Sequence, residues 1–403
     1  MREEQEDIMK LTKRQNALQI KLLDTIYTKG PISRIDIAKE TGITPATVSE
    51  ISGNLIKEQL IHETGEVSSS LNKSGRKKIL LDISPNHSFY IGVELSEKFF
   101  SYCLIDNKGS LLEKKIIPYN QLVSETNLTE TLFIEELHSF IKQSFAYQPK
   151  GIGIALPGHF DENTRMILTN NLFWKNFNLD QILSDIDLPI YFKNNVQCMA
   201  LSERLFNLDK NMSNFTFLHV GRGMFCSSIY QNKLYGDNAI LVGEVGHIVV
   251  HPDGELCECG KRGCLQTYTS ESWIIKKSQI LFDNSDSTYL RQLTTNRSHL
   301  TIETILQAYK LGDEGVINIL HNAIKYLSIT INNLSMMIDM DKMVIHGELF
   351  TETQLADLIN DYLENNSTLL ATEKKIQIEF KPYLSINGAI SAAGLCVTKQ
   401  LLS

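Results

Sequence analysis

Cys257, Cys259 and Cys264 fall within eight positions, and His247 precedes the first of them by ten residues. Three thiolates and one imidazole make a closed tetrahedral set, the form in which proteins hold structural zinc. Gly260 and Gly263 sit inside this loop, where the chain must bend tightly to bring its ligands to one ion. A zinc motif at 247–264 is therefore expected, with His247, Cys257, Cys259 and Cys264 as ligands. A chance cluster of unpaired thiols is the bland alternative. A second group, Thr44, Pro45, Ala46, Thr47 and Ser49, is small or polar and opens a short helix. Such residues can enter a major groove and touch base edges.

The elements that position these groups belong to a chain of 403 residues, long enough for two or three domains. Its apolar content of 42% suits a sizeable core. The N-terminus, MREEQEDIMK, is acidic where a secretory leader would be basic and then apolar. No uninterrupted apolar run approaches bilayer length. A cytoplasmic protein with no membrane partner is expected. Cys103, Cys198, Cys226 and Cys396 fit as small buried hydrophobes in a reducing compartment. The net charge of −8 argues against nucleic acid for the whole chain, yet residues 10–80 carry +5 and residues 81–403 carry −10. A mildly basic head on an acidic body permits a DNA-binding module at the N-terminus.

Apolar spacing at Leu18, Leu22, Leu23 and Ile26 predicts a helix over 16–29, ended by Gly30-Pro31. Ser33 caps a second helix, with Asp36 in a capping-box-like position and Gly42 as its stop. Thr44 caps a third over 45–59, with Pro45 at its first position, burying Val48, Ile51, Leu55 and Ile56. Two short helices joined by a glycine turn read as a helix-turn-helix. A three-helix interaction module without DNA is the alternative. Leu60-Ile61 and Ile79-Leu80-Leu81 then predict a hairpin, with EVSSSLNKSGRKK between them as a wing. Arg76 at its tip suits an A·T-rich minor groove, and Lys77 and Lys78 suit phosphates.

From Phe89 the pattern changes. FYIGVEL, FFSYCLID and LLEKKII predict adjacent strands, followed by a helix over 130–146. GIGIALPG and PIYFKNN read as further strands, MALSERLF as a helix, and FTFLHVGRGMFCSSIYQNKLYG as a second strand-Gly-strand hairpin. The zinc frame resembles the signature of the ROK family, which contains bacterial sugar kinases and sugar-responsive transcriptional repressors. The order of helices, wing and Gly-Arg tip resembles the head of ROK repressors. The resemblance covers nearly all of residues 85–403. It implies an α/β chain with a winged helix-turn-helix over 1–84. A two-lobed actin-like (ribonuclease H-like) sugar-kinase fold then occupies 85–403.

ROK kinases carry D-x-G-G-T in the first hairpin; here Ser96 and Glu97 replace the two glycines, and a carboxylate there repels phosphate. Their second phosphate hairpin, G-T-G-I-G, reads Gly221-Arg222-Gly223-Met224-Phe225. Their N-D-A-N reads Asn194-Asn195-Val196-Gln197, and an amide cannot serve as the base that takes a sugar proton. With three parts of phosphoryl transfer missing, no catalytic residues and no enzyme activity are expected. The sugar side implied by the resemblance is better kept. Glu244 and His247 match E-x-G-H, and Asn194 and Asn195 keep hydrogen-bonding capacity. Asn171 matches the asparagine of P-N-L-x-W, with Asn170 in place of the proline. Gln266 replaces the glutamate after G-C-L, which keeps an acceptor and removes a charge.

The expected protein is a sugar-responsive repressor of carbohydrate genes. It binds a palindromic operator as a homodimer or homotetramer and takes a mono- or disaccharide effector in a pseudo-kinase cleft. An active ROK sugar kinase is one alternative. A ROK repressor sequestered by a protein partner is the other.

Overall fold

The strand-rich runs of the body fold into two five-stranded sheets of one design. The computed structural model describes residues 13–67, 78–118, 129–169, 171–180, 186–207, 212–237, 239–366 and 376–403. The chain divides into two units. One holds Met1–Ile167, Phe177–Asn211 and Gly388–Ser403, and the other Leu168–Asn176 and Met212–Asn387.

The first unit opens with helix α1 (Lys13–Lys29), strand β1 (Ile32–Ser33), α2 (Arg34–Thr41) and α3 (Pro45–Lys57). Leu22, Leu23 and Ile26 of α1 are buried, as their helical spacing requires. The Ser33 hydroxyl accepts from the Asp36 amide at 3.2 Å and caps α2. Gly42 ends α2 with φ 69, in the left-handed region. Thr44 caps α3 and Pro45 takes its first position. Ser52, rather than Ile51, is fully buried between Val48 and Leu55. Its hydroxyl accepts from Arg34 Nε at 2.9 Å and donates to the Ser49 carbonyl at 3.2 Å, which satisfies it inside the head. Strands β2 (Ile61–Val67) and β3 (Lys78–Ile83) pair antiparallel, and β1 pairs with the other edge of β3. The expected wing tip, including Arg76 and Lys77, lies outside the described residues.

Strands β4 (Phe89–Leu95), β5 (Phe99–Asp106) and β6 (Leu111–Pro118) form an antiparallel meander. Helix α4 (Glu130–Gln143) follows, ending before the expected boundary because Ser144–Tyr147 tightens into a 3-10 turn. Next come β7 (Ile152–Leu156), the short β8 (His159–Asp161) and β9 (Met166–Leu168), and β10 (Ile190–Asn194). Strands β7 and β10 extend the meander in parallel, giving the order β10-β7-β4-β5-β6. The C-terminal helix lies directly on this sheet. A Cβ on Gly92 would fall 1.9 Å from the Ala389 carbonyl oxygen, and one on Gly153 would fall 1.8 Å from that of Ala392. Only glycine admits so close an approach. On another side Phe100 and Phe133 meet edge-on at 5.3 Å, and the buried Tyr102 hydroxyl donates to the Phe133 carbonyl at 3.1 Å.

The second unit repeats the arrangement. Strands β11 (Phe215–Val220), β12 (Met224–Tyr230) and β13 (Lys233–Leu234) form the antiparallel part. Strands β14 (Lys342–His346) and β15 (Gln377–Lys381) add in parallel, so the order is β13-β12-β11-β14-β15. Helices Glu271–Asn284, Ile302–Lys310, Glu314–Met337 and Thr353–Asn366 supply its remaining core. Leu218, Ile274, Ile305, Leu320, Leu327 and Ile345 are all buried within it. Among the described residues no helix is long and apolar enough to cross a membrane.

Candidate functional site

The four expected metal ligands come together in the second unit. His247 ends the 3-10 turn Val245–His247. The cysteine loop is closed by backbone bridges between Leu256 and Arg262 and between Val249 and Cys264. Gly260 and Gly263 take φ of 86 and 66. A Cβ on Gly263 would lie 1.6 Å from the His251 carbonyl oxygen, so the turn demands glycine there. The donor atoms of His247, Cys257, Cys259 and Cys264 all lie within 4.8 Å of one another. Cys257 Sγ is 3.6 Å from His247 Nδ1, and Cys259 Sγ is 3.6 Å from Cys264 Sγ. A tetrahedron with zinc–sulfur bonds of ~2.3 Å has edges of about 3.8 Å, so the donor set fits the ion. Burial pushes the Cys257 thiol up and the Cys264 thiol up to about 12. It holds the His247 imidazole below its ordinary value, in the neutral form a metal needs. Gln266 is buried behind this loop. Its amide nitrogen donates to Cys257 Sγ at 3.3 Å and to Glu258 Oε1 at 2.9 Å.

The expected sugar residues are shared between the units. Asn194 and Asn195 belong to the first; Asn171, Glu244, His247 and Gln266 belong to the second. Strand β10 ends at Asn194 and the helix Asn195–Phe206 begins at once, four residues before MALSERLF. Asn194 Oδ1 caps that helix by accepting from the amides of Val196 at 2.9 Å and Gln197 at 3.3 Å, and Asn194 Nδ2 donates to the Gly158 carbonyl at 3.3 Å. Asn195 Oδ1 also accepts from Val196 at 2.9 Å. The Asn195 side chain also bears on Glu94, whose carboxyl it pulls down. Glu94 is the one acid in the strand FYIGVEL. Burial pushes its carboxyl up to about 8, against the pull of Asn195. A Cβ on Gly388 would lie 2.0 Å from Glu94 Cδ, so the C-terminal helix closes on the carboxyl. In the second unit Glu244 is half-buried and raised by burial, and Asn171 accepts through its carbonyl from the Lys175 amide at 2.9 Å.

The hairpin that matches the kinases' second phosphate hairpin is held from within its own unit. Gly221 accepts from the Glu271 amide at 2.8 Å, and the Arg222 carbonyl accepts from Ser272 Oγ at 2.7 Å. At the ends of β11 and β14, His219 Nδ1 and His346 Nδ1 are 2.9 Å apart. The Asn387 amide lies 3.3 Å from His346 Nε2. An amide NH2 donates, so His346 carries its proton on Nδ1 and gives it to His219. Burial pushes His346 down to about 4, which keeps it neutral. Sequence reasoning missed this pair because its members lie on separate strands with no motif between them.

In the head, Thr44, Pro45, Ala46 and Ser49 are exposed, Thr47 is half-buried and Val48 is buried. The hydroxyls of Thr44 and Thr47 are 2.9 Å apart, and Ser49 Oγ donates to the Pro45 carbonyl at 2.9 Å. The start of α3 thus offers a small polar face. Lys78, expected on phosphate, here contacts Asp36 at 3.0 Å in an exposed pair, of a kind that contributes little to stability.

Residues 90–398 match the model of the ROK family. The chain belongs to the ROK family. Residues 16–65 match the MarR family, so a MarR-type helix-turn-helix precedes the ROK body. This ROK chain is 28% identical over 317 residues to the xylose repressor of Bacillus spizizenii, covering 78% of this chain and 77% of the relative. It is 28% identical over 330 residues to the DNA-binding transcriptional dual regulator NagC of Escherichia coli, covering 79% and 77%. Among solved structures, a ROK family transcriptional regulator homologous to the E. coli MLC protein aligns with a TM-score of 0.75 at 21% identity. That alignment covers 96% of this chain and 98% of that one. A ROK glucokinase from Streptomyces griseus aligns with a TM-score of 0.65 at 20% identity, covering 76% and 99%. The fold is therefore a helix-turn-helix followed by a ROK sugar-kinase-like body. The curated relatives named here are transcriptional regulators.

Proposed function

We propose that this ROK chain is a sugar-responsive transcriptional repressor whose kinase-like body has lost phosphoryl transfer. Residues 1–84 form the operator-binding head and residues 85–403 the effector-binding body. The observation that carries this reading is the union of an exposed helix start, Thr44 to Ser49, with a body in which an amide, Asn195, follows directly on β10. An amide cannot accept the sugar proton at neutral pH, while amides and carboxyls do fix hydroxyls by direction. Zinc held by His247 Nδ1, Cys257, Cys259 and Cys264 supplies a structural clamp on the effector loop. The residues proposed to contact a mono- or disaccharide are His247 through Nε2, Glu244 and Asn171 in one unit and Asn195 in the other. Asn194 and Gln266 support this set from behind, since the backbone and the cysteine loop occupy their amides. The names of the relatives put D-xylose and N-acetylglucosamine first among sugars to try.

A single recognition helix reads few bases, so the protein acts in the cytoplasm as a homodimer or homotetramer on a palindrome. Sugar and operator bind with reciprocal influence. The test is a duplex enriched from a randomised pool by the full chain, titrated in the presence of mono- and disaccharides. A sugar that changes duplex affinity supports the reading. Turnover of ATP with any of these sugars contradicts it.

A further inference from the structure

We propose that Arg204 is the positioning residue through which the effector end of the Asn195 helix acts on the DNA-binding head. The inference rests on the sugar-responsive reading and assigns the residues that carry the response. The helix Asn195–Phe206 has 12 residues and so spans roughly 18 Å. Asn194 and Asn195 are at its first turn. Arg204 and Phe206 are at its last. Val196, Cys198, Met199, Ala200, Leu201 and Leu205 are buried along its length, so it is packed as a rod rather than hung as a loop.

The far end of this rod bears on α1 by two routes. Arg204 Nη2 contacts Asp24 Oδ1 at 2.6 Å and Oδ2 at 2.5 Å, and the Arg204 side chain is only 7% exposed. A charge-assisted bond at a guanidinium so nearly buried is costly to leave unpaired. Phe206 takes the second route. A Cβ on Gly109 would lie 2.6 Å from its ring, so Phe206 packs on the Asn107–Gly109 turn. The Asn107 carbonyl in turn accepts from the buried Tyr27 hydroxyl at 2.8 Å. Tyr27 lies three residues beyond Asp24, on the same face of α1. From α1 the path reaches the DNA-facing surface, because Lys21 Nζ donates at 2.6 Å to the Thr41 carbonyl. Gly42 and the α3 cap Thr44 follow directly.

A sugar shifts a conformational equilibrium only by contacting one conformation better than the other, and Asn195 is where such a difference would reach the rod. The rod carries that difference to Asp24 and Tyr27, and so to the seating of α1. No motif joins Asp24 to Arg204, which are 180 residues apart in sequence.

The experiment uses the full chain, the duplex enriched from a randomised pool, and D-xylose and N-acetylglucosamine as probes. Asp24→Asn is nearly isosteric and tests the pair should Arg204→Gln fail to fold. Both variants are expected to keep the wild-type sugar dissociation constant within about twofold. The ratio of duplex affinities with and without sugar should fall toward one, and the exchanged pair Asp24→Arg with Arg204→Asp should recover most of it. A merely structural pair would lower melting temperature and leave that ratio alone. In the sugar-free chain, both single variants should also shift duplex affinity by about threefold or more in the same direction. That arm decides the assignment even if neither sugar alters duplex binding, a result that would count against the sugar-responsive reading alone. A folded Asp24→Asn protein with wild-type duplex affinity and a wild-type ratio would overturn the role given to Arg204.

Discussion

The Asn195 side chain acts on the buried carboxyl of Glu94, pulling it down against the rise that burial causes. Each partner matches a position where a ROK kinase keeps an aspartate, one at the end of β10 and the other in the first hairpin. On the proposed reading an amide stands where those kinases keep their base, beside a carboxyl that burial pushes up to about 8. ATP and magnesium should therefore yield no sugar phosphate. Asn195→Asp alone should not restore turnover, because Ser96, Glu97 and Arg222 remain in the phosphate hairpins. A coupled ATP assay checks both proteins.

The same pair sets a pH dependence. Glu94 is raised from 4.5 to about 8 by burial, so the folded chain keeps a proton that the unfolded chain releases. Stability must then fall as pH rises between these values, by at most about 1.4 kcal/mol per unit. Below 4.5 both states hold the proton, and this contribution is constant. Glu94→Gln mimics the protonated side chain. It should be more stable than wild type at pH 7.5 and should lose this slope. Denaturant unfolding at several pH values measures it; equal slopes for the two proteins would show that Glu94 is ionised in the fold.

Metal analysis should return one zinc per chain. Cys259→Ser should lose the ion and melt several degrees lower, because the ion ties the cysteine loop to His247. Chelation should reproduce that shift in the wild type. Zinc-free protein with an unchanged melting curve would speak against the site.

On DNA, Thr47→Ala should relax preference at one major-groove base pair. Arg76→Ala should weaken cognate binding by roughly 1–3 kcal/mol and flatten preference for flanking A·T pairs. Binding measured across salt concentrations checks the wing, since an Arg76→Ala protein that binds like the wild type throughout would remove the wing from the DNA interface.

The local parts of this fold were legible because short-range physics dictates them. Ser33, Gly42, Thr44 and Pro45 announced two helices, and all four act as read. The cysteine loop was equally plain, since its ligands lie close in sequence and its glycines adopt the left-handed region. Long-range partners left no such trace. Glu94 stood in the first hairpin with no sign in the sequence that the fold would bury it beside Asn195. Gln266 stood in a sugar motif, yet its amide turns to Cys257 and Glu258. Asp24, Arg204, His219 and His346 gave no signal, because each acquires its partner only when distant elements pack.

The central claim is that the ROK body senses a sugar and the head reports it. Glu244→Ala tests this most directly, because Glu244 is outside the zinc ligand set and outside the head. Duplex binding should be titrated with the sugar that shifts the wild type. Glu244→Ala should bind zinc and duplex as the wild type does, while the sugar concentration needed for a half-maximal response rises by about tenfold or more. A variant that answers the sugar at the wild-type concentration would contradict the account.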